Sequence, residues 1–249
     1  MTNRLDAVVS SIVEGVRNAL REHDVTFEEY RKGFKFMMDV AEAKELPLLM
    51  DLFLNTTIVE IQNRQAQGSP SDLEGPYFRS DVPLVTDKIK TMPEFGGTPL
   101  VLRGHVKDTD GNPVEGATIF VWSSTPDGKY SGFHDNIPVD YYRGKLLSGA
   151  GGAYSVESTV PVPYQIKNNG PTGALLEAMG RHSWRPAHVH YKIRKDGYKD
   201  LTTQAYFEGG EWVGDDCCEG KLTDDFVIAE TVEDGKHVMD IDFVIERAA

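Results

Sequence analysis

Apolar residues recur at intervals of three and four through the first 67 or so residues. After about Thr98 that texture gives way to short apolar runs punctuated by glycine and proline. In the first part Leu5, Val8, Val9, Ile12, Val16 and Leu20 mark one face of an amphipathic helix. Thr26-Phe27-Glu28-Glu29 has the capping-box pattern, with Thr26 as N-cap and Glu29 reaching back to it. A second helix is predicted from there, with Phe34, Met37, Met38 and Ala41 as its stripe. The third helical segment, Leu46 to Gln65, is apolar on several faces, carrying Leu48, Leu49, Leu52, Phe53, Leu54, Ile58, Val59 and Ile61. So much apolar surface has to be covered by the rest of the chain or by a second chain. Gln67-Gly68-Ser69-Pro70-Ser71 then ends the pattern.

The second part reads as strands and turns. Leu100 to Val106 and Ala117 to Trp122 are predicted strands, separated by the turn residues Asp108-Thr109-Asp110-Gly111-Asn112-Pro113. Gly152 to Val160 is another strand, and Thr172 to Met179 a short helix. His188 to Arg194 and Leu201 to Phe207 flank the turn Lys195-Asp196-Gly197-Tyr198. Phe226 to Thr231 and His237 to Ile245 flank Glu233-Asp234-Gly235. Short strands at this spacing predict a mostly β protein with an α-helical N-terminal region. Its core is expected to be an antiparallel β-sandwich or barrel rather than a parallel sheet. The boundary is placed between a helical region over 1–95 and a β-sandwich domain over 96–249.

Composition narrows the classes of function. The 249 residues carry a formal net charge of −13, which argues against a nucleic-acid partner and against an anionic membrane surface. The two cysteines, Cys217 and Cys218, are adjacent. Neighbouring Cα atoms lie about 3.8 Å apart, short of the usual disulfide span, so no structural bridge is expected and a reducing compartment fits. The N-terminus lacks the apolar run of a signal peptide, and no stretch approaches the roughly 20 apolar residues of a membrane span. A cytoplasmic location is expected.

The candidate chemistry lies in Arg185-Pro186-Ala187-His188-Val189-His190. Residues two apart on a strand share a face, so a strand aims both imidazoles into one pocket. A metal needs further ligands, yet no acidic residue stands at a ligand spacing around this pair, and the cysteines lack the paired spacing of a zinc site. Tyrosine is the remaining hard donor, since a trivalent cation lowers the effective pKa of a phenol far below its free value near 10. Tyr130 and Tyr164 both follow turn-forming residues and stand outside a clean apolar alternation.

The order Tyr130, Tyr164, His188, His190 resembles the Tyr…Tyr…His-x-His signature of the intradiol ring-cleaving dioxygenases. The likeness covers most of the chain. Glu74-Gly75-Pro76-Tyr77-Phe78 is similar to the loop that leads into that family's site, Asp108 to Trp122 to its first hairpin, and the 185–190 block followed by Gln204 to its active-site core. The helical N-terminal third is what the catechol 1,2-dioxygenase branch has.

The resemblance implies one non-haem Fe(III) per subunit, held by Tyr130, Tyr164, His188 and His190 with a solvent hydroxide. It implies cleavage of a catechol by O2, between its two hydroxyl-bearing carbons, to a cis,cis-muconate during degradation of aromatic compounds. Tyr164 is then the displaceable ligand that takes a proton from the diol, Arg185 stabilises charge developing on the substrate, and Gln204 orients the ring or Arg185. Within the family the likeness is closest to the chlorocatechol-cleaving subgroup, which also has a cysteine at the position of Cys218. Carried over, the pocket wall is Leu48, Asp51, Leu52, Leu73, Gly75, Pro76, Tyr77 and Cys218, and a small polarisable cysteine leaves room for a ring halogen. The family also implies a homodimer through the N-terminal helices of region 1–95, which also contains the entry loop, with a phospholipid at the interface. Three other readings stay open at this point. In one the substrate is unsubstituted catechol or hydroxyquinol; in another the chain is a non-catalytic β-sandwich carrier or binding module; in the third the same site binds zinc and hydrolyses something.

Overall fold

A computed structural model describes residues 3–248. Met1, Thr2 and Ala249, at the outer ends of the two expected regions, lie outside the described residues. Helix formation begins where the capping signals stand. The Asn3 side chain accepts from the Leu5 backbone at the start of α1 (Arg4–Glu22), and Thr26 and Glu29 close the capping box that opens α2 (Phe27–Glu42). The predicted third helix is divided into α3 (Leu46–Met50), a π-helical turn over Asp51–Asn55, and α4 (Thr56–Asn63). Such a turn re-aims the side chains around it; here Leu52 is buried and Asp51 borders a cavity. None of α1 is buried within the chain, and its stripe of Leu5, Val8, Val9, Ile12 and Val16 is exposed.

The β region starts with β1 (Pro99–Asp108), β2 (Thr118–Ser123), β3 (Arg143–Leu147) and β4 (Ala153–Thr159). A two-stranded ribbon follows, β5 (Tyr164–Gln165) with β6 (Trp184–Arg185), and α5 (Pro171–Ala178) lies between them in sequence. The remaining strands are β7 (His188–Arg194), β8 (Leu201–Phe207), β9 (Val227–Ile228), β10 (Thr231–Glu233), β11 (Lys236–Asp240) and β12 (Phe243–Ile245). One five-stranded sheet contains β10, β11, β1, β12 and β4, and the other runs β3-β2-β7-β8-β9. Their apolar sides share one core, with Leu100, Leu102, Val106 and Met239 from the first sheet and Ile119, Val121, Tyr191, Ile193 and Ala205 from the second. This is the expected sandwich beside an N-terminal helical region.

The sheets are mixed rather than purely antiparallel. β1 runs antiparallel to β4 but parallel to β11 and β12, and β8 runs parallel to β9. More than a hundred residues separate β1 from β11, so no tight turn dictates their direction. The predicted strand His237 to Ile245 is interrupted at Ile241-Asp242. Gly104 approaches there so closely that a Cβ on it would lie 1.9 Å from the Ile241 carbonyl oxygen. The predicted Phe226 to Thr231 strand is likewise two short pieces, β9 and the start of β10. β3 was not visible as a strand because Arg143-Gly144-Lys145 shows no apolar alternation.

Candidate active site and metal centre

β7 pairs with β2 on one side and β8 on the other, so its backbone is held from both edges. His188 and His190 leave it on the same face, and their Nε2 atoms lie 3.0 Å apart. His188 Nδ1 donates to the Pro186 carbonyl at 2.8 Å, which leaves the Nε2 lone pair free. The His190 ring is stacked on Trp122, 4.6 Å away with the two planes nearly parallel, and its buried Nδ1 has no hydrogen-bond partner among the described residues. Tyr130 follows the turn at Gly128 and places its hydroxyl 3.4 Å from His188 Nε2. Tyr164, on β5, meets the Tyr130 ring edge to face at 5.2 Å and lies 5.7 Å from the His188 ring. The four side chains expected from the sequence thus stand in one buried cluster, with the Tyr77 ring stacked on Tyr130 at 4.1 Å.

The electrostatics of this cluster suit a cation. Burial, reinforced by the nearby Arg185 charge, pushes His188 down to about 3, and burial also drives His190 well below its ordinary value. Both imidazoles are therefore neutral at neutral pH, the form that binds metals. Burial raises both phenols, most strongly Tyr164, where Tyr130 adds to the effect and Arg185 opposes it. Two imidazole nitrogens about 90° apart on one ion, at bond lengths of about 2.0–2.1 Å, would be separated by about 3.0 Å, which is the spacing observed. Two phenols complete a donor set of hard oxygen and imidazole, the set that suits iron rather than a soft ion. The residues fit a single non-haem iron.

Arg185 ends β6, and Pro186-Ala187 separate it from β7, so strand parity does not govern where it points. It is buried, and its Nη1 lies 3.4 Å from His188 Nε2. Gln204 stands opposite His190 on β8; its Oε1 accepts from Arg185 Nη2 at 3.0 Å, and its Nε2 donates to the Leu73 carbonyl at 2.5 Å. The sequence reading missed three members of this network. Asp216 pairs with Arg185 at 2.9 Å, the Tyr206 hydroxyl lies 2.9 Å from Gln204 Oε1, and the same hydroxyl donates to Asp72 at 3.1 Å. Only Tyr206 carried a usable signal, since it shares the face of β8 with Gln204. Burial opposes ionisation of Asp216, but the adjoining Arg185 guanidinium outweighs it and holds the carboxyl below the ordinary range.

A cavity of about 370 Å³ opens onto this cluster. Its lining includes Leu48, Asp51, Leu52, Leu73, Gly75, Pro76, Tyr77 and Cys218, the whole of the expected pocket wall, together with Tyr164 and Arg185. Asn55 and Ile166 also line it and were not anticipated. Both cysteines are free and buried, their sulfurs 3.7 Å apart. Among the described residues no helix is long and apolar enough to cross a membrane.

Comparison with known proteins identifies the family. Residues 73–246 match the family model described as "Dioxygenase", and residues 2–69 match "Catechol dioxygenase N terminus". The chain is 53% identical over 248 residues to the chlorocatechol 1,2-dioxygenase of Pseudomonas sp. (strain P51), covering 100% of this chain and 98% of that one. It is 52% identical over 248 residues to that of Cupriavidus pinatubonensis, covering 100% and 97% respectively. The crystal structure of chlorocatechol 1,2-dioxygenase from Pseudomonas putida superposes with a TM-score of 0.94 at 52% identity, covering 99% of this chain and 100% of that one. The chain is an oxidoreductase of the intradiol ring-cleaving dioxygenase family, in its catechol 1,2-dioxygenase branch.

Proposed function

We propose that this enzyme opens chlorocatechols with O2 to chloromuconates, at an Fe(III) held by Tyr130, Tyr164, His188 and His190. The observation that carries the reading is the convergence of two phenols and two neutral imidazoles at the inner end of a cavity sized for one aromatic ring. Members of this family work with non-haem Fe(III). When bound, the ion supplies Lewis acidity and a template on which the diol is oriented towards O2.

The chain's own residues account for the rest. The diol enters past Leu52, Pro76 and Cys218, which line an apolar approach and exclude water from the reacting face. Tyr164 borders the cavity; deprotonated when it holds the ion, its oxygen would take a proton from one hydroxyl of the diol. Arg185 lines the same cavity, and its guanidinium stabilises negative charge as it develops on the substrate oxygens. Gln204 fixes Arg185 from behind and ties it to Leu73 of the cavity wall. Cys218 presents a small side chain where a ring substituent would lie, which favours halogenated over bulkier rings.

The region over 1–95 then has two duties. Its α3 and π turn, with the 73–77 loop, supply one wall of the cavity. The exposed stripes of α1 and α2 form a homodimer with a second copy, with a phospholipid filling part of the apolar seam. The region over 96–249 carries the donors. The test is a panel of catechol, 3-chlorocatechol, 4-chlorocatechol and hydroxyquinol on iron-loaded protein, followed by muconate absorbance and O2 uptake. The expected result is ring opening with the chlorocatechols favoured, in protein that shows a visible tyrosinate-to-iron charge-transfer band. Iron-loaded protein with neither the band nor ring opening would overturn the assignment; hydroxyquinol as the favoured substrate would overturn the chlorocatechol preference.

A further inference from the structure

The guanidinium of Arg185 has five N–H donors, and the structure shows where they go. Nε faces both oxygens of Asp216 at 3.2 Å. Nη2 reaches Asp216 Oδ2 at 2.9 Å, Gln204 Oε1 at 3.0 Å and the Tyr206 hydroxyl at 3.4 Å. Among the described residues Nη1 has one hydrogen-bond partner, His188 Nε2 at 3.4 Å, and that nitrogen is one of the proposed iron donors. With His188 engaged by the metal, both Nη1 hydrogens remain for the substrate.

We propose that the Asp216–Gly220 turn is the mount that sets this orientation. Asp216 is a positioning residue that occupies the Nε–Nη2 edge of Arg185, and Gly220 leaves the space the guanidinium needs. The carboxylate is itself anchored, accepting from the Cys218 backbone at 3.0 Å and the Gly220 backbone at 3.2 Å, so it has little freedom to follow a moving arginine. A Cβ on Gly220 would lie 2.3 Å from Arg185 Nη2 and 2.9 Å from Asp216 Oδ2. Gly220 is outside the left-handed region, so the requirement there is for space and not for backbone freedom. A buried ion pair contributes little to stability compared with apolar residues of the same volume. Its value here is geometric: it decides which nitrogen faces the diol.

The inference rests on the ring-cleavage reading above, and a double-mutant cycle tests it in iron-loaded enzyme: Asp216→Asn, Arg185→Ala and the two together. A misplaced catalytic group typically costs on the order of 100-fold. Asp216→Asn is therefore expected to lower kcat by about 10- to 100-fold, with KM changed little and iron content and the visible band retained. The double variant is expected to be no slower than Arg185→Ala alone, and Asp216→Glu to recover part of the loss. Losses that multiply in the double variant, or an Asp216→Asn enzyme with full kcat, would overturn the proposal.

Gly220→Ala keeps every charge and decides the matter where Asp216 variants do not fold. It should show the same fall in kcat, with iron content and the Tm of the metal-free protein near wild type. Full kcat in Gly220→Ala, or loss of its folded state or its iron, would assign the turn to the fold alone and overturn the proposal. Absence of ring cleavage in the wild-type enzyme would instead remove the underlying reading.

Discussion

Asp72 sits at the far end of the Arg185 network and is 6% exposed. One oxygen accepts from the Leu73 backbone at 2.6 Å, and the other from the Tyr206 hydroxyl at 3.1 Å. The nearby Arg185 guanidinium is already paired with Asp216. Burial therefore dominates and raises the Asp72 carboxyl from its ordinary 3.8 to about 7, with the Leu73 hydrogen bond and the Arg185 charge offsetting only part of that rise. An acid whose pKa is raised on folding favours the folded state while protonated. That contribution is fully present below 3.8, falls as pH rises, and is gone above about 7.

At about 1.4 kcal/mol per tenfold, the whole difference corresponds to about 4 kcal/mol. Roughly half, about 2 kcal/mol, is lost between about pH 5.5 and about pH 8.5, where the unfolded side chain is already ionised. Asp72→Asn keeps the shape and the acceptor for the Leu73 backbone, its amide N–H now donating to the Tyr206 hydroxyl, but cannot ionise. The stability of the variant relative to wild type is thus expected to rise by about 2 kcal/mol across that range, or roughly 4–8 °C in Tm for a chain of this size. Thermal denaturation of both metal-free proteins, followed by circular dichroism at several pH values, measures it. Other titrating groups are common to both proteins and cancel in the difference. Curves of Tm against pH that run parallel, or that diverge in the opposite sense, would show that Asp72 is ionised in the folded protein and that the burial argument fails.

Tyr130→Phe removes a buried oxygen donor from the centre of the cluster. It should weaken iron binding by at least the roughly 10–100-fold that loss of a supporting hydrogen bond costs a metal site; metal analysis and the lost or shifted visible band report it. Cys218→Phe narrows the cavity beside the ring, so turnover of 3- and 4-substituted catechols should fall relative to catechol by about 1–3 kcal/mol, or roughly 10–100-fold; an unchanged ratio clears Cys218 of any part in selectivity. Ile12, on the exposed stripe of α1, is expected at the seam between two copies, and Ile12→Glu should shift the protein to monomer in light scattering after size-exclusion chromatography. A dimer of unchanged stability would place the interface elsewhere.

How far the site could be read from the sequence follows from how local each signal is. The His188–His190 pair is periodic, and a two-residue repeat survives any arrangement of the rest of the fold. The capping box at Thr26 and Glu29 is equally local and forms as the sequence predicts. A tyrosine in a turn carries no such signature, and Tyr130 and Tyr164 could be singled out only through the family pattern. Asp216, Asp72 and Gly220 were invisible because their roles depend on contacts spanning 31, 134 and 35 positions of the chain, with Arg185, Tyr206 and Arg185 respectively. The parallel partners of β1 and the break at Gly104 belong to the same class, since each is imposed by a distant backbone.

The same division runs through the site's mechanics. The imidazoles project from β7, a strand hydrogen-bonded along both edges, whereas the phenols come from a turn and from a two-residue strand. Segments with few backbone partners open at lower cost than central strands. On the proposed assignment, a donor that exchanges a proton with the substrate would therefore suit β5, where Tyr164 lies, and not β7. Tyr164 pairs directly with Arg185 in that ribbon. The Arg185 guanidinium is held in turn by Asp216 and Gln204. In the proposed mechanism the central sheet would hold the fixed imidazole donors, and the short ribbon the groups that exchange protons and charge with the substrate.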